Sequence, residues 1–292
     1  MGVVCISCII IAAVTGYFLF QRYENRENQP AHVFHRTVRY GFTIQNTGNR
    51  LVKKGLFRTW APVKRTTTQF CETIDASLPF RIVPDTLGNQ ALEFVLADIP
   101  PHGTKIITIT ANVSIAAAKG FPEKIDPRSY LSPERYIESD QPSLMQQASS
   151  LQTDDPYTTA FHIHNWVSGH LQDSGYIKKN RGALYAYSTQ KGDCTEYMYL
   201  FIALCRASGI PARGIGGYIC RENSMLKPAS FHNWAEFYNK DQWTLSDPQN
   251  RTFEKGAENY IAMRVLGNPE SDPKLNFNRF YLEGEGLSAR MN

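Results

Sequence analysis

A cysteine at the start of an amphipathic segment is the most chemically suggestive feature of this sequence. Cys194 directly follows the turn-forming residues 191–193, and apolar side chains then recur with helical spacing. This pattern predicts a helix that begins at Cys194. Unpaired backbone N–H groups and the positive end of the helix dipole favour a thiolate at that position, and the same N–H groups can hold an oxyanion. Cys194 is therefore a candidate nucleophile, whereas a buried, inert role suits Cys205 better.

A candidate general base and its partner lie in a predicted hairpin further along the chain. The sequence allows two turns between the strands. A turn at Asn239–Lys240 sets His232 directly opposite Asp247, whose carboxylate would then accept the imidazole N–H and orient the ring. A turn at Lys240–Asp241 sets His232 opposite Gln249 instead. The pattern therefore suggests a histidine–aspartate pair and leaves its geometry open.

Four motifs in this order resemble those of the transglutaminase-like superfamily. They are Gly192-Asp193-Cys194, Arg206-Ala-Ser-Gly-Ile-Pro-Ala-Arg213, His232-Asn-Trp-Ala-Glu236 and Trp243-Thr-Leu-Ser-Asp247-Pro248. The resemblance covers residues 155–255, and four ordered motifs are much more specific than any one of them. It implies a papain-like α+β core, in which a helix carrying the cysteine packs on an antiparallel sheet carrying the histidine and the aspartate. The β-rich segment and apolar N-terminus before it resemble the arrangement of membrane-attached bacterial members.

The resemblance implies a thiol acyl-transfer site. Cys194 would be the nucleophile, His232 the general base and acid, and Asp247 the group that orients the histidine. The Cys194 backbone N–H would supply one oxyanion donor. Candidates for the second donor, or for residues that shape the cleft, are Trp166, Tyr185, Tyr187, Trp234 and Glu236, all of which could equally be packing residues. Such a site requires no metal or organic cofactor.

The sequence differs from cross-linking transglutaminases in two ways, and these differences determine which reaction we expect. Asp193 precedes and Thr195 follows the cysteine, where the animal enzymes have Gln and Trp, and no carboxylate cluster resembles their calcium sites. We therefore expect hydrolysis of an amide or peptide bond in a protein or peptide substrate, through a thioester. Transfer to an amine is the first alternative. A non-catalytic binding scaffold is the second, because a fold does not by itself determine function.

A structural zinc site built from the C-terminal cysteines is a weak alternative. Thiolates and imidazole are ligands that zinc prefers, and Cys194, Cys205, Cys220 and His232 could supply them. However, Cys194 and Cys205 would lie about 16 Å apart along one helix at about 1.5 Å per residue. We therefore expect no metal site.

Alternating hydrophobicity before the cysteine predicts a separate β domain. Predicted strands cover residues 38–44, 51–60, 91–97 and 106–115, with turn residues between them. We expect an antiparallel β-sandwich over residues 32–120 and a transglutaminase-like catalytic domain over residues 130–292. Helix starts near Ser132 and Thr153 are expected to open the second domain.

The first twenty residues predict a single-pass membrane anchor. Gly2–Phe20 contains no charged side chain and is long enough to cross about 30 Å of hydrocarbon as a helix. A cleaved signal peptide and a buried helix are the alternatives. The polar segment 21–31 indicates a tether. Its Arg22 and Arg26 do not decide the side of the membrane, and we expect an exported, periplasmic or extracellular, catalytic domain.

The composition excludes several classes of protein. Of the 292 residues, 42% are hydrophobic and 20% charged, which is typical of a folded globular chain. Lys and Arg number 31 against 27 Asp and Glu, and the lack of a basic cluster argues against nucleic-acid binding. Six cysteines are too few for a disulfide-built scaffold. The oligomeric state stays open.

Overall fold

The computed structural model of the chain describes residues 33–116, 121, 123, 126–176, 178–267 and 273–292. Its strands are β1 (Val33–Asn46), β2 (Val52–Ala61), β3 (Gln69–Ala76), β4 (Arg81–Pro84), β5 (Gln90–Ile99), β6 (Thr104–Ala116), β7 (Gln172–Asp173), β8 (Lys191–Gly192), β9 (Ala212–Ile219), β10 (Ser224–Met225), β11 (Phe231–Asn239), β12 (Gln242–Asp247), β13 (Thr252–Phe253), β14 (Tyr260–Leu266), β15 (Phe280–Glu283) and β16 (Leu287–Met291). Its α-helices are α1 (Pro142–Leu151), α2 (Pro156–His170), α3 (Ala183–Thr189) and α4 (Cys194–Ala207). The mixed α+β composition agrees with the sequence prediction.

Alternating burial along the first strands builds a two-layer β structure. In β1 the side chains of Val38, Tyr40, Phe42 and Ile44 are buried, as the period-two pattern predicts. β1 and β3 flank β6 in one sheet, whereas β2 and β4 flank β5 in the other. The two sheets share an apolar core that includes Phe57 and Phe94. Strands that are neighbours in sequence, such as β1 and β2, therefore lie in opposite layers.

The last two strands return to this β structure. β15 pairs antiparallel with β2, and β16 pairs antiparallel with β1, with Leu287 opposite Asn46. The sequence predicts a second domain over residues 130–292, but residues 280–291 complete the two sheets of the first domain. A strand edge can take its hydrogen bonds from any segment of the chain, and local pattern does not reveal which one.

A second five-stranded sheet, in the order β13-β12-β11-β9-β14, carries the candidate site. Helix α4 packs on one face of it, against β11 and β9, and is enclosed by α1, α2 and α3. The other face packs around Trp234 and Trp243. Because helices cover one face and aromatic side chains the other, the sheet is held firmly beneath the start of α4.

One of the two helix starts expected in this half is confirmed. Asp155 caps α2, and its side chain accepts a hydrogen bond from the Thr158 N–H at 2.9 Å. The helix start near Ser132 is wrong. Glu134 and Ile137 form an isolated β-bridge there, and the first α-helix among the described residues begins at Pro142.

The β11–β12 hairpin turns at Lys240 and Asp241. Both residues have positive φ, 48° and 62°, as a two-residue type I′ loop requires. Ala235 consequently lies opposite Ser246. Of the two turns that the sequence allows, the one at Lys240–Asp241 is therefore formed. In the register that it sets, Trp234 and not His232 lies opposite Asp247.

Within the described residues, no helix has the length and apolarity needed to cross a membrane. The predicted anchor at residues 1–20 and the predicted tether at 21–31 lie outside the part of the chain that the structure describes. Both stay predictions from the sequence.

Candidate active site

Cys194 is the first residue of α4, and a local hydrogen-bond pattern holds it there. The Asp193 carboxylate accepts a hydrogen bond from the Thr195 N–H at 2.9 Å, and the Glu196 carboxylate accepts one from the Asp193 N–H at 3.2 Å. This reciprocal arrangement is a capping box. A Cβ at Gly192 would lie 2.4 Å from the Glu196 Cβ, so only glycine fits. The half-buried Cys194 thiol therefore lies at a well-defined helix N-terminus.

His232 and Asp247 meet although they are not directly opposite each other. The His232 Nε2 and the Asp247 Oδ2 are 2.7 Å apart. Because Trp234 is the residue opposite Asp247, His232 is a diagonal neighbour on the same face of the sheet. Diagonal neighbours are within reach of long side chains. The predicted contact is thus present, but it arises from the second of the two registers.

Side-chain donors of three residues converge on the buried Asp247 carboxylate, and the Asn250 backbone N–H donates to its other oxygen at 3.3 Å. Besides His232, the Tyr260 hydroxyl donates a hydrogen bond to Oδ2 at 2.9 Å, and the Asn250 side-chain amide donates another at 2.8 Å. Burial raises the pKa of Asp247, but the hydrogen bonds from His232, Asn250 and Tyr260, together with the histidine charge, lower it below its usual range. Asp247 is therefore a fixed negative charge at neutral pH.

The His232 ring is held in its protonated form. Burial lowers its pKa, but hydrogen bonds to Asp247 and Cys194 and the charges of those two groups raise the pKa to about 9. Nε2 is taken by Asp247, which leaves Nδ1 to face the Cys194 thiol. At neutral pH the geometry consequently favours an imidazolium beside Cys194.

Asn233 is a neighbour of Cys194 that sequence reasoning missed. Its side-chain Nδ2 lies 3.8 Å from the Cys194 Sγ and donates a hydrogen bond to the Thr195 Oγ1 at 3.0 Å. Successive side chains of a regular strand point to opposite faces. The sequence therefore gives no reason to group Asn233 with His232, and the only signal is that the two are adjacent in one motif.

The segment that carries Cys194, His232 and Asp247 is similar to known proteins. The family model of the transglutaminase-like superfamily matches residues 145–248. Residues 145–248 are a transglutaminase-like domain. The matched segment contains Cys194, His232 and Asp247, and it supports a cysteine hydrolase or acyltransferase kind of protein.

Solved structures of other proteins are similar to this chain. A protein from Cytophaga hutchinsonii, described as a candidate cysteine protease, is 19% identical with a TM-score of 0.60, covering 89% of this chain and 91% of its own. The periplasmic domain of TgpA from Pseudomonas aeruginosa is 15% identical with a TM-score of 0.39, covering 70% of this chain and 92% of its own. At 19% identity the first likeness shows a common fold. No sequence match to a curated protein was found.

Three of the predicted cleft residues have contacts elsewhere in the transglutaminase-like domain. Trp166 and Tyr187 stack with His170, at ring-centroid distances of 4.1 and 5.8 Å. The Tyr185 hydroxyl accepts a hydrogen bond from Arg181 at 2.9 Å. All three lie on α2 or α3, and the stacking of Trp166 and Tyr187 on His170 holds these helices together. These contacts agree with the packing role that the sequence also allows, and a role as oxyanion donor stays a prediction.

Trp234 and Glu236 lie on β11, as expected, but differ in their surroundings. Trp234 is buried with its ring nearly parallel to that of His232, 6.4 Å away, so it braces the histidine. Glu236 is buried beside Arg213, at 2.7 Å, and Arg213 also pairs with Glu123 at 2.6 Å. Glu236 is thus part of a closed charge cluster and not of an open cleft.

The described residues contain no group of three or more His, Cys, Asp or Glu side chains placed to hold a metal ion. Cys205 is fully buried on α4, and burial raises the pKa of its thiol well above the usual value. Cys220 packs in the apolar core of the β structure. The four residues considered for a zinc site are therefore not brought together.

Proposed function

We propose that this protein is a thiol-dependent hydrolase of amide or peptide bonds, with Cys194, His232 and Asp247 as its reacting and positioning groups. One observation carries the proposal. A histidine hydrogen-bonded to a buried carboxylate lies beside a half-exposed cysteine at a helix N-terminus. These are the parts that thiol acyl transfer requires, and the superfamily resemblance implies the same roles.

In the proposed reaction the Cys194 thiolate attacks the substrate carbonyl carbon. The tetrahedral intermediate places its negative charge near the backbone N–H of Cys194, which has no partner within the helix at that position. The Asn233 amide, 3.8 Å from the sulfur, is a second donor in reach of this oxygen. Sequence reasoning sought that donor among aromatic residues, and Asn233 replaces them in the proposal.

His232 transfers protons in both halves of the reaction. As an imidazolium it gives its Nδ1 proton to the departing amine nitrogen when the C–N bond breaks, and a Cys194 thioester remains. As a neutral imidazole it then takes a proton from water, whose oxygen attacks the thioester; the C–S bond breaks and releases the acid and the Cys194 thiolate beside the imidazolium. Asp247 keeps the ring oriented and stabilises its positive charge throughout.

A mass-spectrometric assay tests the proposal. The full chain in detergent is incubated with casein, a set of peptides from a digested proteome and a labelled primary amine, beside Cys194→Ala and Cys194→Ser. We expect cleavage or deamidation products that require Cys194 and carry no amine label. Label incorporation that requires Cys194 would replace the hydrolase proposal with amine transfer, and identical product sets from all three proteins would favour a binding scaffold.

We further propose that residues 1–20 anchor the chain in a membrane, with the transglutaminase-like domain exported. The support is the uncharged apolar run Gly2–Phe20 and the polar segment that follows it. The expected results are that the chain stays with membranes during alkaline carbonate washing and that protease added outside intact cells digests the domain. Release by the wash would contradict the anchor, and protection from protease would contradict export.

A further inference from the structure

The Asp247 carboxylate has more hydrogen-bond donors than its contact with His232 requires. Its Oδ2 accepts hydrogen bonds from the His232 Nε2 at 2.7 Å, from the Tyr260 hydroxyl at 2.9 Å and from the Asn250 Nδ2 at 2.8 Å. The Asn250 backbone N–H donates to Oδ1 at 3.3 Å. One carboxylate–imidazole contact is enough to orient a histidine ring, so the contacts of Tyr260 and Asn250 need a separate explanation.

The central sheet holds Tyr260 in place. Tyr260 is the first residue of β14, lies opposite Ile219 on β9 and is 7% exposed. Its ring packs edge-on against Trp234, with the ring centroids 5.1 Å apart. Burial and the charge of Asp247 raise the pKa of Tyr260 above its ordinary value, and the weaker effect of the Arg221 charge does not reverse this. The hydroxyl therefore stays protonated and acts as a donor to the carboxylate.

A short turn between β12 and β13 places Asn250 beside both members of the pair. Its Nδ2 lies 3.1 Å from the His232 Nε2 and 2.8 Å from the Asp247 Oδ2. The Ser168 hydroxyl donates a hydrogen bond to the Pro248 carbonyl at 2.8 Å, which anchors the turn to α2. Asn250 is therefore held against the pair although it is an exposed residue.

Among the described residues, the His232 ring is the only cation that contacts Asp247. The ion pair of this carboxylate is formed with His232 alone, and its side chain is 1% exposed. His164 on α2 interacts with the charge of Asp247, but burial lowers the pKa of His164 to about 4, so this ring is neutral at pH 7. Cys194 on α4 faces the other nitrogen of His232. When His232 becomes neutral, hydrogen bonds must therefore stabilise the buried carboxylate.

The two halves of the proposed reaction require different protonation states of His232. The ring carries two protons when it protonates the leaving amine, and it must have lost one before it can take a proton from water. A carboxylate partner favours the doubly protonated ring, but hydrogen bonds that stabilise the carboxylate reduce its attraction for a proton. The amide N–H of Asn250 acts in the same direction, because its partial positive charge disfavours a cation beside it. Both donors therefore make it easier for His232 to become neutral.

We propose that Tyr260 and Asn250 are positioning residues that act through Asp247. By sharing the carboxylate, they allow His232 to give up its Nδ1 proton and to serve as the base in thioester hydrolysis. The water oxygen then bonds to the thioester carbon, its proton moves to Nδ1, and the C–S bond breaks to leave the acid and the Cys194 thiolate. This inference rests on the proposed function, because it takes the Cys194 thioester as the reacting species.

Acetylation by p-nitrophenyl acetate tests the second half of the reaction by itself. The Cys194 sulfur bonds to the ester carbon, p-nitrophenolate leaves without a proton from His232, and an acetyl thioester remains. The reagent is then removed, and loss of the acetyl group from the full chain in detergent is followed by mass spectrometry between about pH 5 and about pH 10. In the wild type, the rate of loss should rise with pH as His232 becomes neutral, and then reach a plateau.

Removal of either donor should change the pH dependence of this rate. Tyr260→Phe and Asn250→Ala should each move the rise to higher pH by about half a unit, which slows the reaction about threefold at pH values below the rise, and their combination by about one unit. The plateau should stay within about twofold of the wild type, because the ring keeps its contact with Asp247. Asp247→Asn should move the rise in the opposite direction, to lower pH.

Tyr218→Phe and Gln249→Ala are the matched controls. Tyr218 is buried like Tyr260, and its hydroxyl lies 3.6 Å from the Met291 sulfur. Gln249 lies in the same turn as Asn250. Neither control side chain donates to the carboxylate, so both variants should keep the wild-type pH dependence. Because Asn250 is exposed, Asn250→Ala tests the proposal even if Tyr260→Phe fails to fold.

Titration of the His232 ring by NMR tests the donors without turnover. The His232 resonances are those that are absent from His232→Gln. In the full chain before acetylation, we expect the pKa of His232 to rise above its wild-type value of about 9 in both donor variants. A pKa that is unchanged or lower in a variant would overturn the role of the residue replaced, as would a lower plateau with an unmoved rise.

The proposed function fails in a different way. It would be overturned if Cys194 is not acetylated, or if the wild type loses the acetyl group no faster than His232→Gln does. The NMR titration would still report whether Tyr260 and Asn250 control the proton affinity of His232, so the two failures can be distinguished.

Discussion

Two buried pairs of opposite charge lie on the β11–β12 hairpin and its neighbours, and they differ in what surrounds them. In the His232–Asp247 pair the histidine side chain is 12% exposed and lies beside the thiol of the candidate nucleophile Cys194. In the Arg213–Glu236 pair the arginine side chain is 0% exposed, and it also contacts Glu123 and the rings of Trp243 and Tyr130. A buried ion pair is therefore not by itself a functional site. A group that can exchange a proton and an open approach for a reactant are also needed.

The largest expected effect is the loss of activity when His232 of the His232–Asp247 pair is replaced. His232→Gln removes the proton donor and acceptor, so we expect kcat/KM for the peptide identified by mass spectrometry to fall about 10⁴-fold. The free energy of unfolding should also fall, because the raised pKa of His232 stabilises the folded state, but Asn250 and Tyr260 still donate hydrogen bonds to Asp247. A loss of less than tenfold, with the fold intact by circular dichroism, would remove His232 from the reaction.

Disruption of the fully buried Arg213–Glu236 pair should lower stability and leave the reactivity of Cys194 unchanged. Arg213→Met leaves the carboxylates of Glu236 and Glu123 buried without a cation, so we expect unfolding in urea to require about 3–5 kcal/mol less. Alkylation of Cys194 in the protein that remains folded should keep its rate. The triple variant with Glu236→Gln and Glu123→Gln is the control, and it should regain most of the stability because the carboxylate charges are gone.

A smaller effect is expected when only the charge of Asp247 is removed. In Asp247→Asn the pKa of His232 should fall from about 9 towards its ordinary value of about 6.5. Since the thiolate–imidazolium pair requires a protonated ring, the alkaline limb of the kcat/KM profile should move to lower pH, and the maximum rate should fall about 10²-fold. An unchanged alkaline limb would show that Asp247 does not control the histidine.

The raised pKa of His232 makes the free energy of unfolding depend on pH. Protonation of His232 stabilises the folded state fully below about pH 6.5, and this contribution is lost as the pH rises through about 9. The free energy of unfolding of the wild type should therefore decline over that range. His232→Gln should decline less, which urea titrations at several pH values would reveal.

The smallest effect concerns the turn that sets the register between β11 and β12, and with it the His232–Asp247 contact. Lys240 and Asp241 have positive φ, which costs energy for residues with a Cβ. Replacement by Asn-Gly, the preferred type I′ pair, should stabilise the protein by about 1 kcal/mol in urea unfolding and leave both ion pairs in place. Destabilisation would indicate that these side chains have a role outside the turn.

Local features of the site could be predicted from the sequence to a large extent. The position of Cys194 depends on Gly192, Asp193 and Glu196, which interact within five residues of one another. Four strands of the β structure, β1, β2, β5 and β6, were likewise predicted from local pattern, whereas β3 and β4 were not. Which sheet each strand joins could not be predicted, and the return of residues 280–291 to β1 and β2 left no local signal.

The sequence by itself determined where the candidate nucleophile lies and which histidine and aspartate accompany it. Helix capping and the ordered motifs depend on residues that are close together in the chain. Only the tertiary structure decided the hairpin register, the contact of Asn233 with Cys194 and the closed environment of Glu236. These depend on side chains that are distant in the chain and meet only when the sheet and helix α4 pack together. Short-range hydrogen bonding explains the first group, and long-range packing explains the second.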